Sequence, residues 1–180
     1  RVTPFDLGRC GRHFLCKKRK GYLGKEMKRL QDFLKKHSII ALDSSIFIYH
    51  LEDHPRYAPL TEIIFDALEK GTNKGITSYL TLMEIMTKPK AEGFPQVARD
   101  YEYYLTTFPN LTFYEMGLDI ARKASDLRAT ERIKGPDAIQ VATAILYGAT
   151  AFLTNDRIFE RVKGIDILIL DKTLGQMGYP

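Results

Sequence analysis

The sequence predicts an α/β protein in which a mainly parallel, five-stranded sheet is sandwiched between helices. Two observations support this fold class. From Ser38 onward, short apolar runs alternate with longer stretches of helical period, a pattern typical of a parallel sheet covered by helices. The chain has 180 residues, 44% of them hydrophobic, which suffices for one domain with a sizeable core.

The short apolar runs are the predicted strands, and they cover residues 39–42, 75–78, 111–114, 151–153 and 167–170. Stretches of helical period predict helices over residues 59–70, 79–86, 95–107 and 118–131. A further helix is predicted to begin at Pro136, because proline is well tolerated in a first helical turn. Its wide apolar surface indicates that it lies centrally in the domain.

The net charge of +5 is unevenly distributed along the chain. Residues 1–37 contain 12 Lys or Arg against 3 acids, whereas residues 38–180 contain 15 against 19. We therefore predict a basic N-terminal extension, residues 1–37, that is disordered or lies partly upstream of a natural start at Met27. Residues 38–180 then form one domain. The run KKRK at 17–20 has two interpretations, a disordered tail or an arm that binds phosphates.

The positions of the cysteines and the hydropathy of the chain indicate where in the cell the protein is expected. Cys10 and Cys16 both lie in the extension, so the rest of the chain has no cysteine with which to form a disulfide. No apolar run approaches the roughly 18 residues that cross a bilayer. Residues 1–26 lack the apolar stretch of a signal peptide. We expect a cytoplasmic protein without a membrane partner.

Four acids stand out because of their places in this predicted arrangement. Asp43 follows the first strand, Asp156 follows the fourth, and Asp137 lies in the first turn of the helix that begins at Pro136. Glu84 interrupts the otherwise apolar stretch LTLMEIM after the second strand. Each has a structural alternative: helix N-terminal residues for Asp43 and Asp137, a turn residue for Asp156, and a hydrogen-bonded buried acid for Glu84.

Taken together, the four acids favour a metal site. Functional groups in open parallel sheets collect beyond the carboxyl ends of the strands, where clustered carboxylates repel one another unless a cation binds. The absence of His and Cys from the set favours magnesium or manganese over zinc. Carboxylate-bound magnesium suits phosphodiester hydrolysis. We therefore predict a catalytic and metal-binding site formed by Asp43, Glu84, Asp137 and Asp156.

Four motifs, in their order and spacing, resemble those of the PIN-domain ribonucleases, most closely the VapC-type toxins of prokaryotic toxin–antitoxin systems. They are ALDSSIFIYHLE, SYLTLMEIM, KGPDAIQVATAILYGATAFLTNDRIF and IDILIL. The resemblance covers about residues 38–172 and is most specific over residues 135–159.

This resemblance implies a three-layer α/β/α sandwich and a magnesium- or manganese-dependent endoribonuclease. By position, Asp43, Glu84, Asp137 and Asp156 match the family's four acids, with Asp43 and Asp137 as the expected direct metal ligands. The resemblance also implies a homodimer and a cognate antitoxin that covers the active site. The basic residues that would receive an RNA backbone, or else form solvated helix faces, are Lys88, Lys90, Arg122, Lys123, Arg128, Arg132 and Lys134.

Other functions remain open at this point. A phosphatase of the haloacid dehalogenase type also has an Asp after its first strand, but it requires a second Asp where this chain has Ser45. A phospho-receiver domain would leave Asp137 and Asp156 without a role. A catalytically inactive PIN fold that binds RNA or protein, or a housekeeping RNA-processing nuclease, would carry the same motifs.

Overall fold

The computed structural model of the protein describes residues 24–174, and they form the predicted three-layer α/β/α sandwich. All five strands are parallel, in the order β3-β2-β1-β4-β5. The strands are β1 (Ile39–Leu42), β2 (Lys74–Ser78), β3 (Leu111–Tyr114), β4 (Ala151–Thr154) and β5 (Asp166–Ile169). The helices are α1 (Gly24–Leu34), α2 (Ser44–Leu51), α3 (Ala58–Glu69), α4 (Tyr79–Ala91), α5 (Pro95–Thr106), α6 (Leu118–Glu131), α7 (Gly135–Leu146) and α8 (Leu170–Thr173), with a 3₁₀ helix over Arg157–Arg161.

The sheet separates two apolar clusters, one on each face. Alternate residues of β1 enter different clusters: Ile40 and Leu42 join one, and Ala41 joins the other. The first cluster includes side chains from α1 to α5 and α8, and the second includes side chains from α6, α7 and the 3₁₀ helix. Both faces of the sheet are covered, and the central strand β1 is accordingly apolar throughout, as the sequence predicts.

Several elements depart from the predicted ones, most of them by a single residue at one or both ends. Helix α2 was not predicted, because its apolar residues show no clear one-sided period: Ile46, Phe47 and Leu51 are all buried. Helix α4 continues to Ala91, beyond the predicted end at residue 86. The last strand begins and ends one residue earlier than predicted, and Leu170 begins α8 instead.

Helix α1 lies within the segment predicted as a basic extension. Its residues Leu30 and Leu34 are buried in the first apolar cluster, with exposures of 0% and 4%. Folded structure therefore begins before the predicted domain boundary at residue 38, and the basic residues of this helix form its exposed face. Residues 1–23 of the predicted extension, with Cys10, Cys16 and the KKRK run, lie outside the described residues.

No helix in residues 24–174 is both long enough and apolar enough to cross a membrane.

Replacement of Leu30 tests whether α1 is part of the domain. We expect Leu30→Ala to lower the free energy of unfolding by about 2–4 kcal/mol, because it leaves a cavity at a fully buried position. Urea denaturation measures the change, with Lys28→Ala on the exposed face of the same helix as the control. If both variants unfold at the wild-type midpoint, α1 does not contribute to the stability of the core.

Candidate active site

The four predicted acids lie at one edge of the sheet, at the carboxyl ends of the strands. Asp43 and Asp156 follow β1 and β4, Glu84 lies in the second turn of α4, which continues from β2, and Asp137 lies in the first turn of α7. Their charges affect one another: Asp43 and Asp137 act on Glu84, while Asp43 and Asp156 act on Asp137. The structure therefore brings all four acids into one electrostatically coupled cluster.

The carboxyl group of Asp43 is held by hydroxyl groups. Its Oδ2 accepts hydrogen bonds from Ser45 Oγ and Thr154 Oγ1, both at 2.8 Å, and its Oδ1 accepts a longer one of 3.4 Å from Ser44 Oγ. Asp43 directly precedes α2, yet its side chain makes no capping hydrogen bond to the helix. The helix-capping alternative therefore does not account for this residue, and its carboxyl group is fixed from β4 and from the start of α2.

Asp156 has a local structural role in addition to its charge. Its Oδ1 accepts a hydrogen bond of 2.9 Å from the backbone N–H of Ile158, at the start of the 3₁₀ helix. The turn alternative thus holds for one carboxylate oxygen. The same side chain is exposed at the site, and its negative charge raises the pKa of Asp137.

Glu84 carries the clearest sign of an unbalanced charge. Burial raises the pKa of its carboxyl group most, a hydrogen bond from Ser44 lowers it, and the charges of Asp43 and Asp137 raise it further. Among the described residues, its Oε2 atom is buried without a hydrogen-bond partner. A buried polar atom in this condition costs free energy unless another group binds it. The alternative of a fully hydrogen-bonded buried acid therefore does not describe Glu84.

The carboxyl group of Asp137 also has a raised pKa. Burial raises the pKa of its carboxyl group most, and Asp156 and Asp43 raise it further. The charge of Lys134 and a hydrogen bond from the Lys134 backbone lower it by less, so the net pKa shift is upward. Positive charge at this edge therefore compensates only part of the mutual repulsion of the acids.

The donor atoms fit a magnesium or manganese ion in their chemistry. In residues 24–174, no three His, Cys, Asp or Glu side chains converge closely enough to hold a metal ion in the present arrangement. The four acids nevertheless offer only hard carboxylate oxygens, which these two ions prefer. The unpartnered Oε2 of Glu84 is an available ligand atom. A cation would offset both the burial of negative charge and the repulsion that together raise the pKa of Glu84 and Asp137.

A buried chain of polar side chains connects the elements that carry the acids. Thr77 of β2 donates to the carbonyl oxygen of Leu42 at 2.9 Å and contacts the hydroxyl of Thr81 at 2.7 Å. Thr81 in turn donates to Gln140 Oε1 at 3.2 Å. Thr81 lies one helical turn before Glu84, and Gln140 one turn after Asp137. These contacts fix α4 and α7 relative to β1, and none of them was predicted from the sequence.

Asn155 connects the site to the end of the described chain. Its side chain donates to Tyr49 at 3.1 Å and accepts from the backbone N–H of Asp171 at 2.8 Å. Its backbone N–H donates to Ser45 Oγ at 3.3 Å, and Ser45 donates in turn to Asp43. Asn155 and Thr154 thus both support the acid cluster. The position of Gln140 in an otherwise apolar helix was the sequence signal that could have identified a second supporting group.

Comparison with known proteins identifies a family and a fold. A model of the PIN domain family matches residues 40–165. No curated protein is similar enough in sequence to count as a match.

Several solved structures share the fold. DNA-bound VapBC from Salmonella typhimurium has a TM-score of 0.58 at 20% identity, and VapBC2 from Rickettsia felis, bound to a promoter DNA fragment, has 0.56 at 17%. Each match covers 73% of this chain and 98% of the other. VapC20 from Mycobacterium tuberculosis, described as a sarcin-ricin loop cleaving toxin, has a TM-score of 0.51 at 15% identity, over 63% of this chain and 86% of that one. At these identities the likeness establishes the fold.

Removal of the Thr81 hydroxyl tests the buried polar chain. We expect Thr81→Val to lower the free energy of unfolding by about 1–3 kcal/mol, because Gln140 Oε1 loses its buried donor. Adding Gln140→Met should recover part of the loss, since both partners are then apolar. Thermal or urea unfolding measures both changes, and Thr87→Val, on the exposed face of α4, is the control. Equal effects of Thr81→Val and Thr87→Val would contradict this role.

Proposed function

The chain belongs to the PIN domain family, and on this premise we propose that it is a metal-dependent endoribonuclease that hydrolyses RNA phosphodiester bonds. The observation that carries the proposal is the coupled cluster of Asp43, Glu84, Asp137 and Asp156 at the carboxyl edge of the sheet. Such a cluster does not stabilise the fold, because the buried and mutually repelling charges raise the free energy of the folded state at neutral pH.

The four acids divide into two pairs in this proposal. Asp43 and Asp137 would be the direct ligands of Mg²⁺ or Mn²⁺, and Glu84 and Asp156 would bind it directly or through water. When bound, the ion would supply a water of lowered pKa and positive charge for the phosphate. Ser45 and Thr154 donate to Asp43 Oδ2, so they orient this carboxylate at the site.

Substrate and partners are proposed from the comparisons. VapC20 is described as a toxin that cleaves the sarcin-ricin loop, and three other similar structures are described as VapBC assemblies or a toxin–antitoxin complex. By analogy, we propose that this chain is a VapC-type toxin that acts on RNA in the cytoplasm. A homodimer and a cognate antitoxin that covers the acids belong to the same proposal.

Cleavage of a pool of structured RNAs by the purified protein tests the proposed reaction. We expect cleavage with Mg²⁺ or Mn²⁺, none with EDTA, and loss of activity to background for Asp43→Asn and Asp137→Asn. Thr154→Val, which removes one hydrogen bond to Asp43, should reduce the rate by roughly 10–100-fold. Asp119→Asn removes an exposed carboxylate at the start of α6 and should leave the rate unchanged.

Two outcomes would contradict the proposal in different ways. Metal-dependent cleavage that survives Asp43→Asn would refute the assignment of the site. If no RNA is cleaved and divalent metal does not raise the melting temperature of the wild-type protein, the alternative of a PIN fold that only binds RNA or protein is favoured, because a bound ion stabilises the folded state.

A further inference from the structure

Two exposed cations lie beside the acid cluster and make no side-chain hydrogen bond or ion pair with the described residues. Arg132 and Lys134 lie in the connection from α6 to α7, shortly before Asp137. The buried residue Ile133, at 4% exposure, lies between them and anchors the connection to the second apolar cluster.

Several of the other predicted RNA-binding cations are differently placed. Lys88 donates a hydrogen bond of 2.6 Å to Glu52, and Arg122 lies 3.7 Å from Asp119. The first turn of α4 adjoins the sheet edge, and Lys90 lies in the last turn, at the far end of the helix. Lys123 and Arg128 lie within α6, so of the seven predicted cations Arg132 and Lys134 are the two in the connection that leads into the acid cluster.

The backbone of Arg132 gives an independent indication. This residue ends α6 in the left-handed region, with φ 54° and ψ 38°. Glycine is the favoured residue at such a helix end, and a side chain there costs free energy. Strained positions of this kind cluster at functional sites, where the side chain has a use that offsets the cost.

An RNA strand brings further negative charge to an edge that already carries four carboxyl groups. Cations close to the acids favour its approach, and Lys134 is the N-cap residue of α7, whose first turn carries Asp137. We propose that Arg132 and Lys134 bind backbone phosphates of the RNA strand and hold it against the acid cluster. This inference rests on the proposed ribonuclease function.

RNA binding by Asp43→Asn protein tests the inference without cleavage. Fluorescence anisotropy measures the Kd of a labelled 12-nucleotide RNA of mixed sequence at several salt concentrations between about 50 and 200 mM. We expect Arg132→Gly and Lys134→Gln each to weaken binding about 3- to 10-fold at the low salt concentration, and each to reduce the slope of log K against log salt by about 0.7. Arg132→Lys should retain most of the slope, because it keeps the charge.

The controls separate this role from general charge and from folding. Lys74→Gln removes an exposed cation at the opposite edge of the sheet and should leave the slope unchanged. Arg132→Gly should melt no lower than its parent, since glycine suits the left-handed conformation. Three results would each overturn the inference. The salt slope could be unchanged in Arg132→Gly and Lys134→Gln, Lys74→Gln could lose as much affinity and slope as they do, or the Asp43→Asn protein could fail to bind RNA. If the wild-type protein cleaves RNA in an Asp43-dependent way but the salt slopes of the two variants are unchanged, only this inference is overturned. If the two variants have reduced salt slopes but the wild-type protein cleaves no RNA, the proposed nuclease function is refuted instead.

Discussion

Mutual repulsion among four carboxyl groups is the constraint on which the rest of this site depends. Parallel strands end at a common edge, so residues that follow different strands are brought together there whatever their charges. In this protein Asp43 and Asp156 directly follow strands, Glu84 lies in the helix that follows β2, and Asp137 joins them from the first turn of α7. Burial raises the pKa of Glu84 and Asp137 most, and repulsion from the neighbouring acids raises it further. Hydrogen bonds hold the carboxyl groups of Asp43 and Asp156, and the buried polar chain holds the helices that carry Glu84 and Asp137.

The fixing groups are mostly neutral hydroxyl and amide side chains. Ser45 and Thr154 hold Asp43, while the buried chain from Thr77 through Thr81 to Gln140 connects the strands to α4 and α7. Neutral donors add no net charge, so they restrain the acids without neutralising them. The site thereby keeps its negative charge available for a cation, which is the property the proposed chemistry needs.

The predictable features were those with a strong local signal. The strands at residues 39–42 and 111–114 have the predicted bounds, because short apolar runs between helices identify buried parallel strands. The positions of the acids at strand ends followed from the same reasoning. Helix α1 escaped prediction because its many charged residues obscured the buried face formed by Leu30 and Leu34. The partners of Asp43 and Gln140 could not be predicted, because they come from distant parts of the chain.

The most direct test of the account is the location of a bound metal ion. Crystals grown or soaked with Mn²⁺ would show its anomalous scattering without any assumption about substrate. The account predicts a peak with carboxylate oxygens of Asp43 and Asp137 at about 2.1–2.2 Å, and with Glu84 or Asp156 in reach directly or through water. A fully occupied ion bound elsewhere, with no peak among the four acids, would contradict the central claim.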